Sequence, residues 1–202
     1  LRDPVPIPNL IIDTRKMEPV AHWPEGYRHV QRAARKDWWL ASNPGLAIYD
    51  AKNTQLIRRC NEEFAKPLIG TWLGETDQII AIDNQKRILL LNSDLSDCKE
   101  IAKSELTSYP LYLGTDSEAK QIVACDREQL VVYELPSDDK SAKLLFSWST
   151  PKGYVFTAVT CSSNGRFVAA GIAKAKEHWW SGRDAKLMVW RLPDGKLLNV
   201  TP

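Results

Sequence analysis

The chain has 202 residues, of which 44% are hydrophobic, 26% charged and 9% aromatic, an ordinary composition for one globular domain or part of a larger one. Lys and Arg number 27 against 25 Asp and Glu, a net charge of +2, which excludes a general polyanion binder that depends on many uncompensated cations. Eight tryptophans and abundant Val, Ile and Leu exclude disorder, and no apolar run approaches the ~18 residues of a membrane-spanning helix.

The first nine residues hold three prolines and no helical period. A start at Leu1 rather than Met is expected of a processed product or a fragment, from which a signal peptide would already be lost. From residue 10 onward one pattern recurs. Apolar, β-rich segments at 10–13, 46–50, 88–92, 130–134 and 187–191 each end in a polar residue. Those residues are Asp13, Asp50, Asn92, Glu134 and Arg191, spaced by 37, 42, 42 and 57 positions. A polar turn and a second apolar strand follow each one. In front of the last four stands another strand, at 38–41, 78–82, 121–125 and 166–170. Hairpin-length polar links join the first three of these to the next strand in the chain: Asn43-Pro44-Gly45, Asp83-Asn84-Gln85-Lys86 and Asp126-Arg127-Glu128. A further strand precedes them, clearest at 67–72 and 156–160.

Each unit therefore holds four short antiparallel strands in about 42 residues, with no helical period, and predicts an all-β fold. Units of this kind are the blades of a β-propeller. Runs such as Ile88-Leu89-Leu90-Leu91 and Leu130-Val131-Val132-Tyr133 do not alternate, so both faces are expected to be buried, as between stacked blades. The count gives full blades at 26–60, 61–105, 106–149 and 150–200, with the outer strands of another at 9–23. About four and a half blades are too few for the common seven-bladed ring. An open arc exposes apolar faces and strand edges. A cover is therefore expected at both ends: the remainder of the propeller, or else a second copy.

The last unit carries a family resemblance. Ser162-Ser163-Asn164-Gly165-Arg166 resembles the Ser-Pro-Asp-Gly-Lys turn of WD40 repeats, Trp190 stands at their Trp, and Pro193-Asp194-Gly195-Lys196 matches the turn after it. The resemblance implies a WD40-like propeller that docks other proteins. The closing Trp-Asp pair of that family appears here as Tyr49-Asp50, Leu91-Asn92, Tyr133-Glu134 and Trp190-Arg191. No Gly-His dipeptide occurs, since the histidines are His22, His29 and His178. The family's buried Asp-His-Ser-Trp network cannot be assembled. Apolar packing and hairpin chemistry alone are expected to hold the blades.

The widest spacing marks an insertion of about 15 residues in the last unit, carrying His178, Trp179, Trp180 and Arg183. Long loops are often functional, and Trp and Arg are enriched at binding hot spots. These four are the candidate partner-binding residues; the competing expectation is that the indoles fold back over the neighbouring blade or that the hairpin is merely extended. A second feature places Arg28, Arg32, Arg35 and Lys36 beside Trp38 and Trp39. Such a pattern suits single-stranded nucleic acid, but Trp38 and Trp39 occupy a repeat position that reads as core, and a solvated rim is preferred. Acidic clusters at Glu62-Glu63, Glu75-Thr76-Asp77 and Asp138-Asp139 read as solvated faces, and none has calcium-loop spacing.

No catalytic, cofactor or metal motif is present: there is no GxSxG, HExxH, P-loop or GxGxxG, and Cys60, Cys98, Cys125 and Cys161 lie too far apart for a zinc site. Cys125 and Cys161 read as small buried hydrophobes, and reduced thiols point to the cytoplasm. The expectation is a non-catalytic scaffold with protein partners, without nucleic acid or membrane. The alternatives are a sensor propeller of a larger multidomain enzyme, or a quinoprotein-type propeller enzyme.

Overall fold

The apolar runs become strands and the polar links become turns. The structure, a computed structural model, describes residues 10–13, 18–22, 29–42, 45–60, 67–135, 141–175 and 184–201. These residues form one two-stranded ribbon and four four-stranded antiparallel sheets. The ribbon pairs β1 (Leu10–Asp13) with β2 (Glu18–His22). The first blade is β3 (His29–Arg32), β4 (Trp38–Ser42), β5 (Leu46–Asp50) and β6 (Leu56–Arg59). The second is β7 (Pro67–Trp72), β8 (Gln78–Asp83), β9 (Arg87–Asn92) and β10 (Cys98–Lys103). The third is β11 (Tyr112–Thr115), β12 (Gln121–Cys125), β13 (Gln129–Glu134) and β14 (Lys143–Ser149). The fourth is β15 (Tyr154–Cys161), β16 (Phe167–Lys174), β17 (Lys186–Arg191) and β18 (Lys196–Thr201). Every neighbouring pair in a blade is sequential and antiparallel, the meander that the repeat requires. This is the all-β, blade-built architecture expected from the repeat, about four and a half blades long.

The blades share an axis. Their first strands, β3, β7, β11 and β15, lie side by side and line one cavity of about 420 Å3. Middle strands of the second and third blades carry apolar residues on both faces because each face meets a different blade. Leu40, Leu46 and Ile48 of the first blade pack with Trp72, Ile79, Leu89 and Leu91 of the second. Ile80, Ile82 and Ile88 of the second pack with Ile122, Ala124 and Tyr133 of the third. Val123, Leu130 and Val132 of the third pack with Val168, Met188 and Trp190 of the fourth.

The expectation that only packing and hairpins hold the blades is incomplete. Three buried carboxylates close the turns. Asp83 caps the β8–β9 turn, its Oδ1 accepting from the Gln85 and Arg87 amides at 2.9 and 2.8 Å, while Arg87 Nε donates to Oδ2 at 2.7 Å. Asp126 holds the matching turn of the third blade, accepting from the Glu128 and Gln129 amides. Its other oxygen accepts from the Ser108 amide at 2.7 Å and the Thr107 hydroxyl at 3.0 Å, which tie down the segment entering that blade. A Thr hydroxyl and a backbone amide thus partner the turn Asp. Asp116 closes the β11–β12 turn through the Lys120 and Gln121 amides. At the matching place in the fourth blade Ser162 Oγ accepts from the Arg166 and Phe167 amides, which explains the Ser of that turn.

Candidate interaction surface

The four hot-spot candidates, His178, Trp179, Trp180 and Arg183, lie outside the described residues. The base of their insertion is described. β16 runs on to Lys174, paired with Tyr154, and Ile172 pairs with Lys186 where the chain returns. The Lys186 ammonium sits 4.9 Å over the Tyr154 ring. The insertion therefore springs from a paired, anchored stem.

In the basic segment of the first blade Arg32 and Lys36 are paired with carboxylates, while Arg28 lies outside the described residues. Arg32 and Lys52 both pair with Asp37, at 3.1 and 3.2 Å, and the Lys52 ammonium and Arg32 guanidinium hold that carboxyl below its ordinary range. Lys36 reaches the second blade, pairing with Asp77 at 3.2 Å and donating to Ser93 Oγ at 2.9 Å. Its ammonium also lies 4.3 Å over the Trp38 ring, which occupies the face a base would stack on. Trp38 and Trp39 are half-buried and pack at the edges of two separate apolar clusters, rather than inside them. Both Arg35 and the first-to-second-strand turns of the next two blades line a depression of about 570 Å3. Its other charged walls are Glu75, Asp77, Glu118 and Lys120.

What the sequence does not reveal is how firmly these turns are joined. Gln31 of β3 accepts through its side-chain oxygen from the Thr71 hydroxyl and the Trp72 amide, and the Trp72 indole donates to the Gln31 carbonyl. Thr115 Oγ1 accepts from the Gly74 amide at 3.0 Å and donates to the Trp72 carbonyl at 3.1 Å. The Glu75 amide donates to the Ser117 carbonyl, and the Ser117 amide and hydroxyl both donate to the Ser163 carbonyl. Gly74 adopts a left-handed φ of +54° and has Ser117 O 2.6 Å from where a Cβ would stand, so only glycine fits this crossing. Four consecutive blades are hydrogen-bonded to one another around the axis. The only legible signal was the polar character of the turns; partners forty residues apart leave no local pattern.

The thiols are free, with Cys125 buried and Cys161 half-buried, both part of the apolar packing at the third interface. Burial pushes both up to about 12, so they are poor nucleophiles. Among the described residues no three His, Cys, Asp or Glu side chains converge as a metal site would require. No described helix is long and apolar enough to cross a membrane.

No family model and no curated protein matches the sequence. The structure is similar to the crystal structure of the β-propeller domain of Cps50 (Swd1) from Myceliophteria thermophila, with a TM-score of 0.66 at 11% identity. The match covers 95% of this chain and 65% of that one. A likeness at that identity fixes the fold, a propeller, and this chain spans less than two thirds of the solved one.

Proposed function

We propose that this chain is a non-catalytic protein-interaction scaffold, an arc of a WD40-like propeller that works within a larger propeller or assembly. One observation carries the reading: the turns bordering the charged depression are hydrogen-bonded from blade to blade, from Gln31 through Thr115 and Ser117 to Ser163. A surface already fixed this way loses little ordering entropy when a partner docks. Its walls carry Arg35 and Lys120 beside Glu75, Asp77 and Glu118, a mixed-sign pattern suited to a protein surface rather than to a polyanion. The insertion that carries Trp179 and Trp180 leaves β16 at Lys174, the end opposite the Ser162–Arg166 turn, and would offer a partner a second, aromatic contact. Free cysteines support a reducing compartment such as the cytoplasm.

The test is quantitative affinity capture with the wild type, with Trp179→Ala/Trp180→Ala and with Glu75→Lys/Glu118→Lys. Recovery of the same partners is expected to fall at least tenfold with one or both variants, at an unchanged melting temperature. Undiminished recovery with both would contradict the reading. A fall in melting temperature with the tryptophan pair would assign those indoles to packing instead.

A further inference from the structure

The fourth blade differs from the others on one face. Register places Leu187 of β17 at the position held by Leu46, Ile88 and Leu130 in the preceding blades. Those three are 1%, 0% and 0% exposed because the following blade covers them, whereas Leu187 is 46% exposed. Around it, Phe167 is 37% exposed and Leu198 46%, with Val189 and Ala169 half-buried. These apolar residues share one sheet face, bordered by Thr160, Arg191 and Asn199, with nothing packed on it among the described residues.

The face also has a shape. The positions of Val123 and Tyr112 in the third blade are taken in the fourth by Ala169 and Ala158. The positions of Phe146 and Trp148 are taken by Asn199 and Thr201. The centre is therefore more recessed, and the outer rim more polar, than at the third interface.

We infer that this face is the docking site of a further antiparallel blade whose facing strands carry larger apolar side chains than the Ala81, Ala124 and Ala170 used at the three interfaces present. The inference rests on reading the chain as an arc, and names the face and the chemistry that complete it. Three arguments select this occupant. Every equivalent face in the chain is covered by a blade. The chain spans only 65% of the similar solved propeller. A second copy cannot supply the cover by stacking head to tail, because the opposite face of the first blade is already buried, with Ala41 and Ala47 at 0% and Tyr49 at 3% exposure. An inserted bulky side chain fills the volume that Ala158 and Ala169 leave, since interiors pack without voids.

Two variants test this, each in the isolated chain and in the native polypeptide or assembly that carries it. Leu187→Asp is expected to leave the melting temperature of the isolated chain unchanged and to lower that of the native form by about 5–10 °C, by burying a carboxylate. Ala169→Leu is expected to lower only the native form, by about 3–8 °C, by overpacking. An unchanged native form with Leu187→Asp would overturn the inference, since the face would be free. A native form indifferent to Ala169→Leu would overturn the bulky partner. A dimer of the isolated chain abolished by Leu187→Asp would assign the face to a second copy. None of these outcomes depends on partner capture, so the scaffold reading stands or falls separately.

Discussion

Trp148 and Trp190 stack across the third interface, with ring centroids 5.0 Å apart and planes 23° from parallel. Trp148 belongs to the outer strand of the third blade and Trp190 to the third strand of the fourth. Phe146 extends the stack, 5.3 Å from Trp148. This is where the tryptophan of the WD40-like unit acts: it turns back onto the preceding blade. Trp190→Ala is expected to cost the isolated chain about 3–5 kcal/mol, by cavity formation and loss of stacking. Leu187→Ala, on the same strand but the open face, is expected to change stability by less than about 0.5 kcal/mol. Urea unfolding measures both; equal losses would contradict the assignment of the two faces.

Asp126 and Asp50 separate two kinds of turn carboxylate. Asp126 is fully buried and holds four donors, whereas among the described residues the Asp50 carboxylate accepts from the Lys52 and Asn53 amides near the surface. Asp126→Ala is expected to lose about 3 kcal/mol, because it leaves buried donors unpaired, and Asp50→Ala about 1 kcal/mol. Urea midpoints of the two variants check the order.

Gly74 and Gly45 both have positive φ, but only Gly74 is crowded, since nothing lies within 4 Å of a Cβ at Gly45. Gly45→Ala is expected to cost about 1 kcal/mol of backbone strain. Gly74→Ala is expected to cost at least about 2 kcal/mol more, because backbone of the third blade must move away. Equal costs would show that the blade-to-blade crossing is looser than described.

Cys125 and Cys161 are raised from 9.0 to about 12 by burial. The unfolded chain releases these protons near pH 9 while the folded chain keeps them. Their contribution is therefore fully present below pH 9 and is lost as pH rises toward 12. The urea midpoint is expected to fall between pH 8 and pH 10.5, and to fall less in Cys125→Val/Cys161→Val. Both native thiols should resist a maleimide at pH 8. Fast labelling of Cys125 in the folded chain would contradict its burial.

Much of this fold is legible because a blade is a local object. Strands such as Ile79–Ile82 and Val131–Tyr133 announce themselves by unbroken apolar runs, and hairpin links by Asp, Asn and Gly. The fates of Asp83 and Asp126 were harder to read. Any turn Asp looks solvated in a sequence, and only the next blade buries it. The ties from Gln31 to Trp72 and from Ser117 to Ser163 join residues about forty positions apart and leave no periodic trace. The openness of Leu187 is invisible for the opposite reason: its residue type matches Leu46 and Leu130, and only the missing neighbour distinguishes it.

Four stacked blades with one face left open are tested most directly by a cysteine scan of the equivalent positions. Leu46→Cys, Ile88→Cys, Leu130→Cys and Leu187→Cys would each be labelled with a maleimide in the folded 202-residue chain, and the rate read at that site by mass spectrometry. The expected result is three sites slower than Leu187→Cys by roughly 100-fold or more, as their exposure requires local opening. Four similar rates would contradict the stacked-blade architecture.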